Sequence, residues 1–315
     1  MRLVIILDVM SHSLVLLTSS LLALLVACSP IVPSGAAVGT PGAGPPCPAQ
    51  PLNVIAVENQ YGSLALQLGG ACVRVVNVIS SADADPHEYQ VDAVTARAYQ
   101  SAHVILQNGL GYDEFSEKLV STLSTRPVVV TFGEVVGLKE GDNPHIWYHP
   151  DYVARITAAI TAAFKRARPE LASYFDQQAT VLDQSMADYR SLVAEIRQKY
   201  RGTPIGLTET LFVYMAEATE LQILTPRRLL DALSEEGQPS VTDVAAVQTQ
   251  IQQRQIRVLV YNAQTESNLT KQWQEMATRA GIPVVPVTET MVPIDDTFQG
   301  WQTRQLRALL AALGG

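Results

Sequence analysis

Two of the chain's five histidines stand four positions apart in Asn143-Pro144-His145-Ile146-Trp147-Tyr148-His149-Pro150, around an aromatic pair. An imidazole can bind a metal, move a proton or fill a turn, and its partners decide which. A second Pro-His step, Pro86-His87, lies in the polar loop ADPHEYQ. Two carboxylates complete the set. Glu209, in GLTETLFVYM, and Glu289, in PVVPVTETM, each come directly after a β-rich run. A proline ahead of each histidine, Pro86 and Pro144, restricts the local backbone and helps aim a ligand. Taken singly, a loop histidine faces water, and a glutamate before a helix is favoured by the helix dipole. Two imidazoles from one half and two carboxylates from the other, all near strand ends, point instead to one divalent ion between two halves. Glu266, in YNAQTE, is the alternative fourth ligand, although it falls several residues beyond its strand. His103 opens a strand and reads as structural.

The elements that must position these groups alternate along the chain. LNVIAV from Leu52, VRVVNVI from Val73, HVILQ from His103 and PVVVTF from Pro127 read as strands separated by amphipathic helices. A second series opens with TPIGL at Thr203 and continues through IRVLVYN from Ile256 and IPVVPV from Ile282 to a terminal helix through Trp301. This alternation predicts an α/β fold, two βαβ lobes with parallel sheets, whose ligands bind beyond the C-terminal strand ends in the cleft between lobes. Between them Glu170 to Tyr200 has no Gly or Pro, and its apolar residues recur at helical spacing. One long, rigid linking helix of about 45 Å is expected there. The expected division is 51–169 for the N-terminal lobe, 170–200 for the linking helix and 201–315 for the C-terminal lobe.

A net charge of −8 with no basic run argues against nucleic-acid binding, which needs clustered Lys and Arg. The apolar stretch Leu14 to Ala27 is too short for an ordinary transmembrane helix and reads as the core of a signal peptide over 1–27. Asp8 in a poor n-region leaves Met10 as an alternative start. Leu25-Val26-Ala27-Cys28 resembles the lipobox of bacterial lipoproteins, which implies cleavage before Cys28 and lipidation of its thiol. Residues 28–50, rich in Pro, Gly, Ala and Ser, are expected to be a flexible lipid-anchored tether. Cys47 and Cys72 are either a disulfide pinning that tether to the first lobe or two unpaired thiols.

Together, DPHEYQ, NPHIWYHP, ETLFVYMAEATEL and the long helix resemble the metal-binding lipoproteins, the solute-binding components of bacterial ABC importers for zinc and manganese. The resemblance covers most of the folded chain. It implies that His87 and His145 bind the metal. Glu209 matches the third ligand, a His in typical zinc members and a Glu in manganese-type members. The fourth ligand, usually Asp, is matched by Glu289, and His149 stands where the family has Asp before Pro at a helix start, which implies an N-terminal-turn residue rather than a ligand. Zinc importers of the family often carry a His-rich loop before the second ligand, whereas GEVVGLKEGD here has no histidine. Manganese therefore ranks ahead of zinc, with ferrous iron third, although zinc is the stronger binder at most such sites.

The implied partners are an ABC permease and its separate ATPase, with a monomer lipid-anchored to the outer face of the bacterial cytoplasmic membrane. No H-E-x-x-H, G-x-S-x-G or phosphate-binding glycine loop is present, and four protein ligands leave little room for a catalytic water, so no enzyme is expected. A zinc-dependent hydrolase, a surface adhesin lipoprotein and a receptor for chelated iron or cobalamin are the competing classes. The Asn268-Leu269-Thr270 sequon has no glycosylation meaning in a bacterial lipoprotein.

Overall fold

Val and Ile dominate the first two strands and are buried on both sheet faces, the pattern of parallel strands covered by helices. In the computed structural model, residues 37–38, 46–81, 89–234 and 237–314 are described. The expectations for the signal peptide, Cys28 and His87 lie outside them. β2 (Leu52–Glu58), β3 (Val73–Ile79), β4 (Val104–Gln107) and β5 (Val128–Thr131) form a parallel sheet in the order β3-β2-β4-β5. Two tether residues, β1 (Ala37–Val38), extend it antiparallel on β3, with Ala37 opposite Asn77 and Val38 opposite Val76. The second sheet holds β6 (Pro204–Leu207), β7 (Gln222–Ile223), β8 (Val258–Asn262) and β9 (Val284–Val287), all parallel, in the order β7-β6-β8-β9. β7, only Gln222 and Ile223, is too short to show an alternation in the sequence.

Apart from β1, the two sheets share one topology. In each, the second strand lies on one side of the first and the third on the other. The crossover direction therefore switches beside β2 and beside β6, and a crevice opens at their C-terminal ends.

The helices are α1 (Asn59–Gly69), α2 (Ala93–Gln100), α3 (Glu114–Ser121), α4 (Phe132–Val136), α5 (Pro150–Ala167), α6 (Ala172–Ser185), α7 (Ala187–Tyr200), α8 (Val213–Ala218), α9 (Arg227–Ser234), α10 (Val241–Gln252), α11 (Asn268–Arg279) and α12 (Phe298–Leu313). None among the described residues is long and apolar enough to cross a membrane. α5 shows why such segments are helical. Pro150 occupies its first turn, Asp151 faces the N-terminal dipole, Lys165 and Arg166 close the last turn, and Val153, Ile156, Ile160 and Phe164 bury one face.

The helical run expected over 170–200 is present in two segments, with Met186 as a single turn residue between them. The Ser185 hydroxyl donates to the Leu182 carbonyl at 2.7 Å, and the Met186 N–H is shared between Leu182 O and Asp183 O at 3.1 and 3.3 Å. Such a side-chain bond competes with the helix ladder in a run without Gly or Pro. The two segments pack on different partners: α6 lies against α1 and α5, while α7 lies against α12.

The halves are joined by more than this helix. Asn59 exchanges hydrogen bonds with the Met291 backbone at 3.2 and 2.9 Å, and Ser63 Oγ accepts from Phe298 N at 3.0 Å. The buried Tyr148 ring lies between Phe212 and Trp301, with centroids at 5.7 and 5.8 Å. Cys47 and Cys72 are bonded, closing a loop with a sequence separation of 25.

Candidate metal centre

Register brings the acidic half of the site together. Leu207 pairs with Val260 across β6 and β8, so Glu209 and Asn262, each two positions further on, stand side by side at the C-terminal edge. Asn262 in turn pairs with Val287 across β8 and β9, and Glu289 lies two positions beyond. The Asn262 amide nitrogen lies between the two carboxylates, 2.8 Å from Glu209 Oε2 and 2.8 Å from Glu289 Oε1. Thr265 donates to Glu209 Oε1 at 2.5 Å, and from the other half the Tyr112 hydroxyl donates to Glu289 Oε2 at 3.0 Å. Each of the four carboxylate oxygens thus receives a protein donor.

His145 faces this pair from the N-terminal lobe. Its Nδ1 lies 2.7 Å from Asn143 Oδ1 and 3.3 Å from Thr210 Oγ1. Asn143 turns its amide nitrogen to the Thr210 carbonyl at 3.0 Å, so its oxygen is the atom that meets the ring. Nδ1 therefore carries the proton, and the Nε2 lone pair is directed into the cleft. Nε2 stands 3.9 Å from Glu289 Oε1. One ion at about 2.1 Å from each atom would span that gap. Trp147 supports the imidazole edge-on, with centroids 5.3 Å apart. Among the described residues, no three His, Cys, Asp or Glu side chains are drawn tightly enough to hold an ion. The Asn262 amide holds the interval between the carboxylates.

Burial sets the electrostatics. It pushes the Glu209 carboxyl up to about 7, against the pull of hydrogen bonds from Thr265 and Asn262, and the charge of Glu289 adds to the rise. The Tyr112 hydroxyl is pushed well above its ordinary range, first by burial and then by Glu289, so the phenol remains a proton donor. Tyr112 is delivered by Gly109-Leu110-Gly111, three successive residues with positive φ of 74°, 64° and 82°. Leu110 holds this left-handed backbone at a cost a glycine would not incur. The loop is anchored by Asp113, whose carboxylate accepts from Asn108 N and Gly109 N, each at 2.7 Å.

His145, Glu209 and Glu289 are thus brought to one cleft, while His87 lies outside the described residues. Glu266 points away from it, exposed and paired with Lys271 and Gln274 at the start of α11. His149 caps α5 through Nδ1, which accepts from Asp151 N at 3.2 Å. His103 Nδ1 accepts from Asn53 N at 2.9 Å and ties β4 to β2. Sequence reading passed over Tyr112, Asn143, Asn262 and Thr265. For Asn262 a signal existed, since it ends a strand just as Glu209 and Glu289 stand past the ends of theirs.

The architecture is that of the two-lobed periplasmic metal-binding proteins. Manganese-bound periplasmic metal-binding protein from Candidatus Liberibacter asiaticus superposes with a TM-score of 0.68 at 19% identity, over 82% of this chain and 98% of that one. Periplasmic zinc-binding protein TroA from Treponema pallidum superposes with a TM-score of 0.67 at 18% identity, over 85% and 100%. The chain belongs to the family of the periplasmic zinc-uptake complex component A, whose model matches residues 54–312. Among relatives, manganese-binding lipoprotein MntA of Bacillus subtilis is 22% identical over 73% of this chain and 77% of its own. Iron-binding protein YfeA of Yersinia pestis is 27% identical over 46% of this chain and 50% of its own.

Proposed function

We propose that this protein captures one divalent transition-metal ion, Mn2+ or Zn2+, and delivers it to an ABC permease driven by a separate ATPase. His87 and His145 from one lobe and Glu209 and Glu289 from the other would be its ligands. The observation that carries the reading is His145 Nε2 at 3.9 Å from Glu289 Oε1, with Glu209 joined to Glu289 through one amide. Both carboxylates and the imidazole come from different segments and meet only in the cleft. Membership in a periplasmic transport family and likeness to a manganese-binding lipoprotein support delivery to a membrane complex, and an anchor at Cys28. Mixed imidazole and carboxylate donors suit borderline ions. A set of four protein ligands would leave little room for a catalytic water, which suits capture and release rather than chemistry.

Elemental analysis of the soluble domain after mild purification is the test. About one equivalent of Mn or Zn is expected, lost in His145→Ala and in Glu209→Ala. Full metal content in both variants refutes the ligand set, and turnover of an ester or peptide dependent on His145 would favour the hydrolase.

A further inference from the structure

We infer that Tyr112, Thr265 and Asn262 form a donor frame that holds Glu209 and Glu289 to one metal-facing oxygen position each and thereby sets metal preference. The inference rests on Glu209 and Glu289 being ligands. The two carboxylates have four oxygens, and each receives a donor: Glu209 Oε1 from Thr265, Glu209 Oε2 and Glu289 Oε1 from Asn262, Glu289 Oε2 from Tyr112. An oxygen engaged by a protein donor retains a second lone-pair direction, so it can still meet an ion. For a carboxylate to chelate an ion through both oxygens, both must turn toward it, and a donor already fixed on each oxygen opposes that rotation.

The frame is held from three separate elements. Asn262 is the last residue of β8, its oxygen fixed by the Gln264 N–H at 3.0 Å, so the amide cannot rotate without breaking that bond. Thr265 Oγ1 lies 2.7 Å from the Asn262 amide nitrogen, whose two hydrogens serve the carboxylates, and donates to Glu209. Tyr112 reaches across from the other lobe on the left-handed Gly109-Leu110-Gly111 loop. A Cβ on Gly109 would come within 2.5 Å of Thr131 Cγ2, so the loop that aims Tyr112 is fitted closely to β5. Ligands that cannot chelate give few coordinating atoms, which suits a tetrahedral ion of the zinc type. Manganese, which favours six oxygen-rich ligands, gains most from bidentate carboxylates. The frame therefore discriminates against manganese relative to an unframed pair of the same ligands. Tyr112, Thr265 and Asn262 are positioning residues in this account, acting on the ion only through the carboxylates.

The test is competitive titration of Zn2+ and Mn2+ on the folded soluble domain, comparing wild type with Tyr112→Phe and Thr265→Val. Thr265 is exposed, so its replacement spares the core. Removing either donor is expected to lower Zn2+ affinity about tenfold, the usual scale for outer hydrogen bonds to metal ligands, and Mn2+ affinity less, so that the Zn/Mn ratio falls. Electron paramagnetic resonance of bound Mn2+ should change its zero-field splitting in Tyr112→Phe as coordination changes. An unchanged ratio in both variants, or equal losses for both metals, overturns the inference. Glu289→Gln separates the two readings. If that variant binds both ions as wild type does, the ligand assignment itself fails; if it loses both while the Tyr112→Phe and Thr265→Val ratios stay fixed, only the frame fails.

Discussion

Glu209 is the residue whose environment departs most usefully from that of a free side chain. Burial raises its carboxyl from 4.5 to about 7, so at neutral pH the metal-free protein holds a substantial neutral fraction. A group with a raised folded value binds its proton more tightly when folded. Its destabilising contribution is absent below the unfolded value, grows between about 4.5 and about 7, and is complete above that. Glu209→Gln removes the titration, and the metal-free variant should gain on the order of 3 kcal/mol at pH 8 relative to wild type, and little at pH 4. Urea unfolding of both proteins across that range checks it; parallel pH profiles would refute the burial account. Metal affinity runs the other way. Coordination needs the ionised carboxylate and neutral imidazoles, so binding should weaken steadily as pH falls below about 7.

At the scale of elements, the link between residues 47 and 72 ties the end of the proline-rich stretch to the start of β3. The Cys72 side chain is fully buried in the first-lobe core, and Cys47 is packed against it. Closing a loop with a separation of 25 removes unfolded-state entropy, and the double substitution Cys47→Ser, Cys72→Ser should cost about 3 kcal/mol. Denaturant unfolding under oxidising conditions measures this, and reduction of the wild type should reproduce most of it. Metal affinity should be unaffected, because the bridge and the cleft lie at opposite ends of β3. The interruption at Met186 belongs to the same scale. It divides the run between two packings, α6 on α1 and α5 and α7 on α12.

For the whole molecule, the lobes are joined by specific bonds across their boundary, an arrangement unlike a free hinge. Asn59 spans it from α1, satisfying both backbone groups of Met291. Asn59→Ala leaves a buried N–H and C=O without that partner and should destabilise the metal-free protein by about 2 kcal/mol. Because Met291 lies two residues beyond Glu289, the same variant should also weaken metal binding. Thermal melts with and without Zn2+ separate the two effects. A variant as stable as wild type would mean that the boundary is held elsewhere, through Tyr148 and the Trp301 ring.

The alternation of short β-rich runs with amphipathic helices is a local property, and the two parallel sheets, the terminal helix and the start of α5 at Pro150 were all legible from it. So was the placement of Glu209 and Glu289 at one sheet edge, since residues just past the C-terminal ends of parallel strands face the ligand crevice. Residue type and place along the chain were enough for this. What joins these residues was not legible. Tyr112 meets Glu289 across 177 positions, and Asn262 meets Glu209 across 53, through the register of β6, β8 and β9. The asparagine that orients His145 depends on Thr210 in the other lobe. The interruption at Met186 coincides with a serine bonding back to a carbonyl, in a run with no helix breaker to announce it. Periodicity encodes which face of an element is buried. Which distant side chains then come within 3 Å depends on the register and packing of the whole chain, and only the tertiary structure decided that.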